Sequence, residues 1–245
     1  MGALAPGTRP ASAARVVLDG RDGTPIPAIT ARPDDGDPTG GVVVHPDLMG
    51  VRPLFDDLCR RLATHGYAVC SPEPFARAPA VVRDADAPDA RLAYLPELDD
   101  DQQLADLAVA ADHLATEPCA VLGFCMGGMQ TLKAAATGRF QRAVPFYGMI
   151  RVPEAWRGPH LRDALATAPK VCPTLAIFGD DDPYTPAADL DALRHAWRDR
   201  PDCHIVVYAD AEHGFVHDPE RDAHRADDAA DAWRRVLAFL GPDHP

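Results

Sequence analysis

The six residues Gly123-Phe124-Cys125-Met126-Gly127-Gly128 constrain this chain more than any other feature. They follow a short apolar run, Ala120-Val121-Leu122, and precede a helix-compatible one from Met129 to Thr137. The pattern predicts a strand that turns sharply into a helix with Cys125 raised at the turn. Such a turn is strained and brings neighbouring backbone close, so the positions two before and two after the raised residue must be small. Packing is the usual role of a free cysteine. The glycine-flanked turn makes Cys125 a candidate nucleophile instead.

Around this turn, β-type runs alternate with helical patterns. Arg15 to Leu18 and Ile26 to Thr30 read as a hairpin joined through Gly20 and the Asp22-Gly23 turn. Gly41 to His45 is a buried strand by its continuous β-branched content. A helix after Pro53 carries Leu54, Leu58 and Leu62 on one face and ends near Gly66; the strand Tyr67 to Cys70 follows. Residues 76–101 are rich in Pro, Ala and Asp with weak periodicity, which predicts a long surface excursion over the sheet. A helix over Gln103 to Ala115 and the strand Cys119 to Leu122 lead into the glycine turn. Strands at Ala143 to Phe146, Thr174 to Phe178 and His204 to Tyr208 follow, with helices at Ala187 to Trp197 and Asp222 to Leu240. The alternation predicts an α/β fold, a mostly parallel central sheet flanked by helices on both faces. One domain over residues 15–245 accommodates it. Residues 1–14 lack an apolar core and read as a flexible N-terminal tail rather than a signal peptide.

A formal charge of −13 leaves no basic stripe to neutralise phosphates, so nucleic acid is not an expected partner. No run is long and apolar enough to predict a membrane span. The six cysteines (59, 70, 119, 125, 172 and 203) are scattered without a C-x-x-C pair, which fits reduced thiols in the cytoplasm. All but Cys125 lie in or near strand and helix patterns and read as packing residues. His213, His217 and His224 stand near Asp218 and Asp222, but the segment departs from metal-binding helical spacing, and no metal or other cofactor is expected.

Two further segments complete the chemistry. Phe178-Gly179-Asp180-Asp181-Asp182 and Asp210-Ala211-Glu212-His213-Gly214-Phe215 each follow an apolar strand. A cysteine, a carboxylate and a histidine thus occur on successive post-strand turns, in the chain order of an α/β-hydrolase triad.

These three segments, together with His45-Pro46-Asp47-Leu48-Met49-Gly50, resemble the dienelactone hydrolase family of α/β-hydrolases. The resemblance runs from about Arg15 to Leu240. It implies Cys125 as nucleophile, His213 as base and Asp182 as the acid, since the family's acid stands four residues before a proline, here Pro186. Asp180 and Asp181 then read as turn polarity. The backbone N–H groups of Met126 and Leu48 would form the oxyanion hole. Asp47 stands where the family commonly has a glutamate that partners the resting thiol. His217 replaces one of the arginines that hold a substrate carboxylate, and Arg91 corresponds to the other, with Arg83 competing for that part. His45 is expected to be structural or to line the site. The implied activity is that of a carboxylic ester or lactone hydrolase, carboxymethylenebutenolidase-like, acting on a small molecule as a monomer or dimer. A thiol-redox or covalent ligand-sensing protein using Cys125 is the reading from a different class.

Overall fold

The structure, a computed structural model, describes residues 4–83 and 88–241. Its strands are β1 (Ala11–Asp19), β2 (Pro25–Pro33), β3 (Gly40–His45), β4 (Tyr67–Pro72), β5 (Cys119–Phe124), β6 (Arg142–Phe146), β7 (Thr174–Gly179) and β8 (Cys203–Tyr208). The helices are α1 (Pro53–Thr64), α2 (Ala80–Arg83), α3 (Pro88–Tyr94), α4 (Asp100–Leu114), α5 (Met126–Ala134), α6 (Ala187–Ala196) and α7 (Ala226–Leu240). One mixed sheet runs in the order β1-β2-β4-β3-β5-β6-β7-β8. β2 pairs antiparallel with both β1 and β4, and every other pairing is parallel.

The strand pleat divides the core into two layers. Val42 and Val44 of β3, and Leu122 and Phe124 of β5, join Phe55, Leu58 and Leu62 of α1 and Trp233 and Val236 of α7. Val43 and Val121 point the other way, to Leu107 and Leu114 of α4 and Leu190 and Leu193 of α6. A strand buried on both faces needs apolar residues at every position, which is why β3 and β5 read as continuous runs. Pro53 starts α1 with its fixed φ, and Asp99 caps α4 by accepting from the Asp101 and Gln102 N–H groups.

The chain lays β4 on one side of β3 and then crosses to place β5 on the other. Loops leaving β3 and β5 therefore diverge, and the crevice between them at the carboxyl ends of the strands is where a ligand fits. The Asp47 turn and Cys125 face each other across it.

Three segments differ from the sequence expectation. Residues 11–14 are not tail but the first part of β1, paired with Thr30 to Pro33, and Leu4 is buried in the core. Arg61 donates to the Leu4 carbonyl at 2.8 Å. Alanine and proline gave this stretch no alternation to read, and its order comes from partners distant in sequence. The 76–101 excursion packs rather than merely covering: Phe75, Val82, Leu95 and Leu98 form a cluster with Met126, Met149, Val152 and Trp156. α4 starts at Asp100, earlier than expected, because Asp100 is buried against Lys133 at 2.6 Å and Gln130 at 2.9 Å.

Leu4→Ala should lower stability by about 2–5 kcal/mol, the usual range for a buried leucine. Urea unfolding measures it, and a midpoint equal to wild type would mean that the segment is a dispensable tail.

Candidate active site

Cys125 has φ 58° and ψ −121°, a conformation that L residues adopt only under constraint. The constraint comes from both sides. Its N–H donates to the Phe146 carbonyl at 3.1 Å, and its own carbonyl accepts from Met129 at 3.0 Å. A Cβ on Gly123 would collide with the Gly127 carbonyl, one on Gly127 with the carbonyls of His45 and Pro46, and one on Gly128 with that of Phe146. The glycines let β5, α5, the β3 turn and β6 approach within backbone contact. Met126 opens α5, so its N–H has no acceptor inside the helix and the positive end of the helix dipole lies beside the thiol.

His213 follows β8, and its Nδ1 lies 2.8 Å from Asp182 Oδ2. The other Asp182 oxygen accepts from the Tyr184 N–H at 2.8 Å, which fixes the carboxylate in its turn after β7. Asp180 instead accepts from the Asp210 N–H at 2.6 Å and ties the two turns together. The His213 Nε2 is buried and makes no well-aligned hydrogen bond among the described residues. Cys125 lies close enough to the imidazole to favour its protonated form. Burial alone would lower the His213 pKa, but the Cys125 sulfur and the Asp182 carboxylate outweigh it and push the pKa up to about 10. Tyr184 and Tyr147 present ring edges to the imidazole from two sides, with centroids at 4.9 and 5.2 Å. The arrangement can hold an ionised thiol beside an imidazolium and pass a proton between them.

The other thiols are not poised in this way. Burial pushes Cys70, Cys119 and Cys172 up to about 12 and Cys203 up to about 11, and it raises Cys59 well above its ordinary value.

Asp47 sits differently from the expectation that it partners Cys125. Arg52 takes both of its oxygens in a bidentate pair at 2.6 and 2.9 Å, and His217 Nε2 lies 2.7 Å from Oδ2. Burial opposes its charge, but His217 and Arg52 more than offset that and hold the carboxyl below its ordinary range. His217 is accordingly not an open ligand for a substrate carboxylate. Burial lowers its pKa, and its Nδ1 lies 2.5 Å from the Tyr147 hydroxyl. Tyr147 therefore donates to Nδ1, and the Nε2–H donates to Asp47.

Arg91 is also committed. It is 1% exposed and donates to the carbonyls of Val82, Arg83 and Leu48, with Glu73 at 3.5 Å. It is a strut between the excursion and the β3 turn, not a free cation at the site. Arg83 contributes its carbonyl to this strut. His45 is buried between the Pro46 carbonyl and Gln103, each at 3.0 Å, a structural role. Within the β3 turn, Met49 N–H donates to Asp47, Gly50 N–H to the Asp47 carbonyl and Val51 N–H to Glu73. The Leu48 N–H has no acceptor among the described residues.

Sequence reasoning missed Arg52, Glu73 and Tyr147. Tyr147 carried one available signal, its position one residue past the carboxyl end of β6, next to the nucleophile's strand. Arg52 and Glu73 carried none, because their partners lie across the turn.

The fold is that of an α/β-hydrolase. The model of the dienelactone hydrolase family matches residues 26–243, and the chain belongs to that family. It is 33% identical over 230 residues to the "Putative carboxymethylenebutenolidase" of Escherichia coli K12, covering 89% of this chain and 83% of that one. It is 30% identical over 223 residues to the "Carboxymethylenebutenolidase" of Rhodococcus opacus, covering 88% and 86%. The crystal structure titled as a putative dienelactone hydrolase from Klebsiella pneumoniae superposes with a TM-score of 0.84 at 29% identity, covering 94% of this chain and 98% of that one.

His213 should titrate high. Its raised pKa means that the ring keeps its proton through neutral pH and loses it only as pH rises toward about 10. Imidazole NMR should show this in wild type, and Cys125→Ala should bring the midpoint down by removing the sulfur that helps to raise it. A wild-type midpoint near the ordinary value of about 6.5 would refute the ion pair.

Proposed function

We propose that the protein hydrolyses a small ester or lactone through Cys125, His213 and Asp182, by way of a thioester on Cys125. The observation that carries this reading is the His213–Asp182 bond with the imidazole's other nitrogen turned to a cysteine on a strained, glycine-flanked turn. The relatives named carboxymethylenebutenolidase support an ester or lactone as the substrate class. The free cysteines support a reducing compartment, and we place the reaction in the cytoplasm.

The chemistry follows from the geometry. The Cys125 thiolate adds to the carbonyl carbon, a C–S bond forms, and the carbonyl π pair moves onto oxygen. The N–H groups of Met126 and Leu48 receive that charge from the α5 turn and the β3 turn. As the tetrahedral species collapses, the C–O bond breaks and the His213 Nε2 proton goes to the leaving alkoxide. In a lactone the leaving group is part of the same molecule, so the opened hydroxyacyl chain stays on the enzyme. Water then attacks the thioester while neutral His213 takes its proton. The thiolate leaves, and the Cys125–His213 ion pair is restored. Asp182 holds the imidazole tautomer throughout and stabilises its charged form.

Arg91 and His217 are both committed to partners within the protein, so neither clamps a substrate carboxylate in the way the sequence suggested. This supports esters and lactones whose recognition depends less on an anionic group than on the apolar cluster of Met126, Met149, Val152 and Trp156 beside Cys125.

Cys125→Ala should abolish turnover across a panel of small esters and lactones, and mass spectrometry of quenched wild type should find acyl mass on Cys125. Unchanged turnover in that variant would end the proposal. Asp182→Asn should lower kcat by about 10⁴-fold, as expected when a histidine loses the carboxylate that sets its tautomer. Asp181→Asn should leave kcat at the wild-type level. The reverse ranking would move the acid to Asp181.

A further inference from the structure

Asp47, His217 and Tyr147 form a buried hydrogen-bonded chain that the reaction steps leave unused. We propose that this chain is a positioning device which holds the Leu48 N–H where the oxyanion forms. The inference rests on the reading of Leu48 as an oxyanion donor.

Asp47 directly precedes Leu48 in the β3 turn, so fixing its carboxylate fixes the peptide plane that carries the Leu48 N–H. That carboxylate is held from two directions. Arg52 grips it bidentately from the start of α1, and His217 donates to it at 2.7 Å from the loop after β8. His217 lies four residues after His213, on the same loop. Its ring also stacks on Phe124, the residue before Cys125, with centroids 4.7 Å apart at 20°. The one imidazole therefore touches the elements that carry the base, the nucleophile and the oxyanion turn. Tyr147, after β6, donates to its far nitrogen and leaves Nε2–H as the tautomer aimed at Asp47.

Asp47, His217 and Tyr147 are all at most 4% exposed, so water does not compete for these bonds. Every donor in the chain has an acceptor, with Arg52 supplying the charge at its head. Oxyanion stabilisation depends on placing the donor within about 0.5 Å of its productive position. A surface loop with free amides does not meet that tolerance. The β3 turn can, because its neighbouring amides are occupied and its carboxylate is clamped.

The test compares wild type with His217→Leu, His217→Gln and Tyr147→Phe, using a p-nitrophenyl ester for turnover and iodoacetamide for Cys125 reactivity. His217→Leu should lower kcat by about 10- to 100-fold, with KM within about twofold, because the lost interaction acts on the transition state. The rate of Cys125 alkylation should stay within about twofold of wild type, since alkylation uses the thiolate and needs no oxyanion hole. His217→Gln can donate to Asp47 from the place of Nε2 and should recover at least about fivefold of the lost kcat. Tyr147→Phe should fall between wild type and His217→Leu.

Wild-type kcat in a folded His217→Leu would overturn the proposal. So would an equal fall in alkylation rate, which would assign the defect to the nucleophile, or a failure of glutamine to rescue. If His217→Leu does not fold, the other two variants decide: wild-type kcat in Tyr147→Phe, or a fall of more than about 20-fold in His217→Gln, overturns it. Turnover that persists in Cys125→Ala defeats the hydrolase reading itself. Turnover lost there but intact in His217→Leu defeats only the positioning chain.

Discussion

The site depends on one backbone conformation, the left-handed turn at Cys125. That conformation is unfavourable for a residue with a side chain, so surrounding structure must hold it, at a cost on the order of 1–3 kcal/mol. Close approach of four elements does so: β5 enters the turn, α5 leaves it, the β3 turn presses on Gly127 and β6 accepts from the Cys125 N–H. The same approach gives the thiol its surroundings. A helix start with an orphan N–H lies on one side and a turn with another unoccupied N–H on the other. Strain and electrostatics at this site are two results of the same packing.

A second constraint is charge held without water. Asp182 and His213 form one carboxylate–imidazole pair and Asp47 and His217 another, with the Tyr147 ring packed against both imidazoles. The two pairs sit in different states. His213 shares its region with a sulfur and a carboxylate and is raised, whereas burial lowers His217 and its carboxylate is already matched by Arg52. Similar residues are thus separated into one group that can move a proton and one that stays fixed.

The sequence made local chemistry readable and long-range partnership obscure. The elbow, the strands feeding it and the Asp182–His213 order were legible because each depends on neighbours within a few residues: glycines two positions away, an apolar strand just before. The parallel strands and the helices on both faces of the sheet were legible for the same reason. Asp47 was placed by analogy with a longer side chain. Its partner His217 is set by how the β3 and β8 loops meet, and no spacing records that. Arg91 looked like a free cation in a polar, weakly periodic stretch; only folding revealed the three carbonyls that consume it. Residues 11–14 were hidden by alanine-rich composition, although strand partners from Thr30 to Pro33 order them.

The Arg91 strut has a consequence for how such a chain can change. The 76–101 excursion is polar and weakly periodic in sequence, yet its buried Arg91 guanidinium grips the carbonyl of Leu48. Glu73, at the root of the same excursion, holds the Val51 N–H. Replacing this region with one of a different shape would therefore release the turn across from Cys125. The shape of the excursion and the position of the β3 turn are mechanically linked in this chain, and a graft that alters the first must carry its own arginine and glutamate to preserve the second.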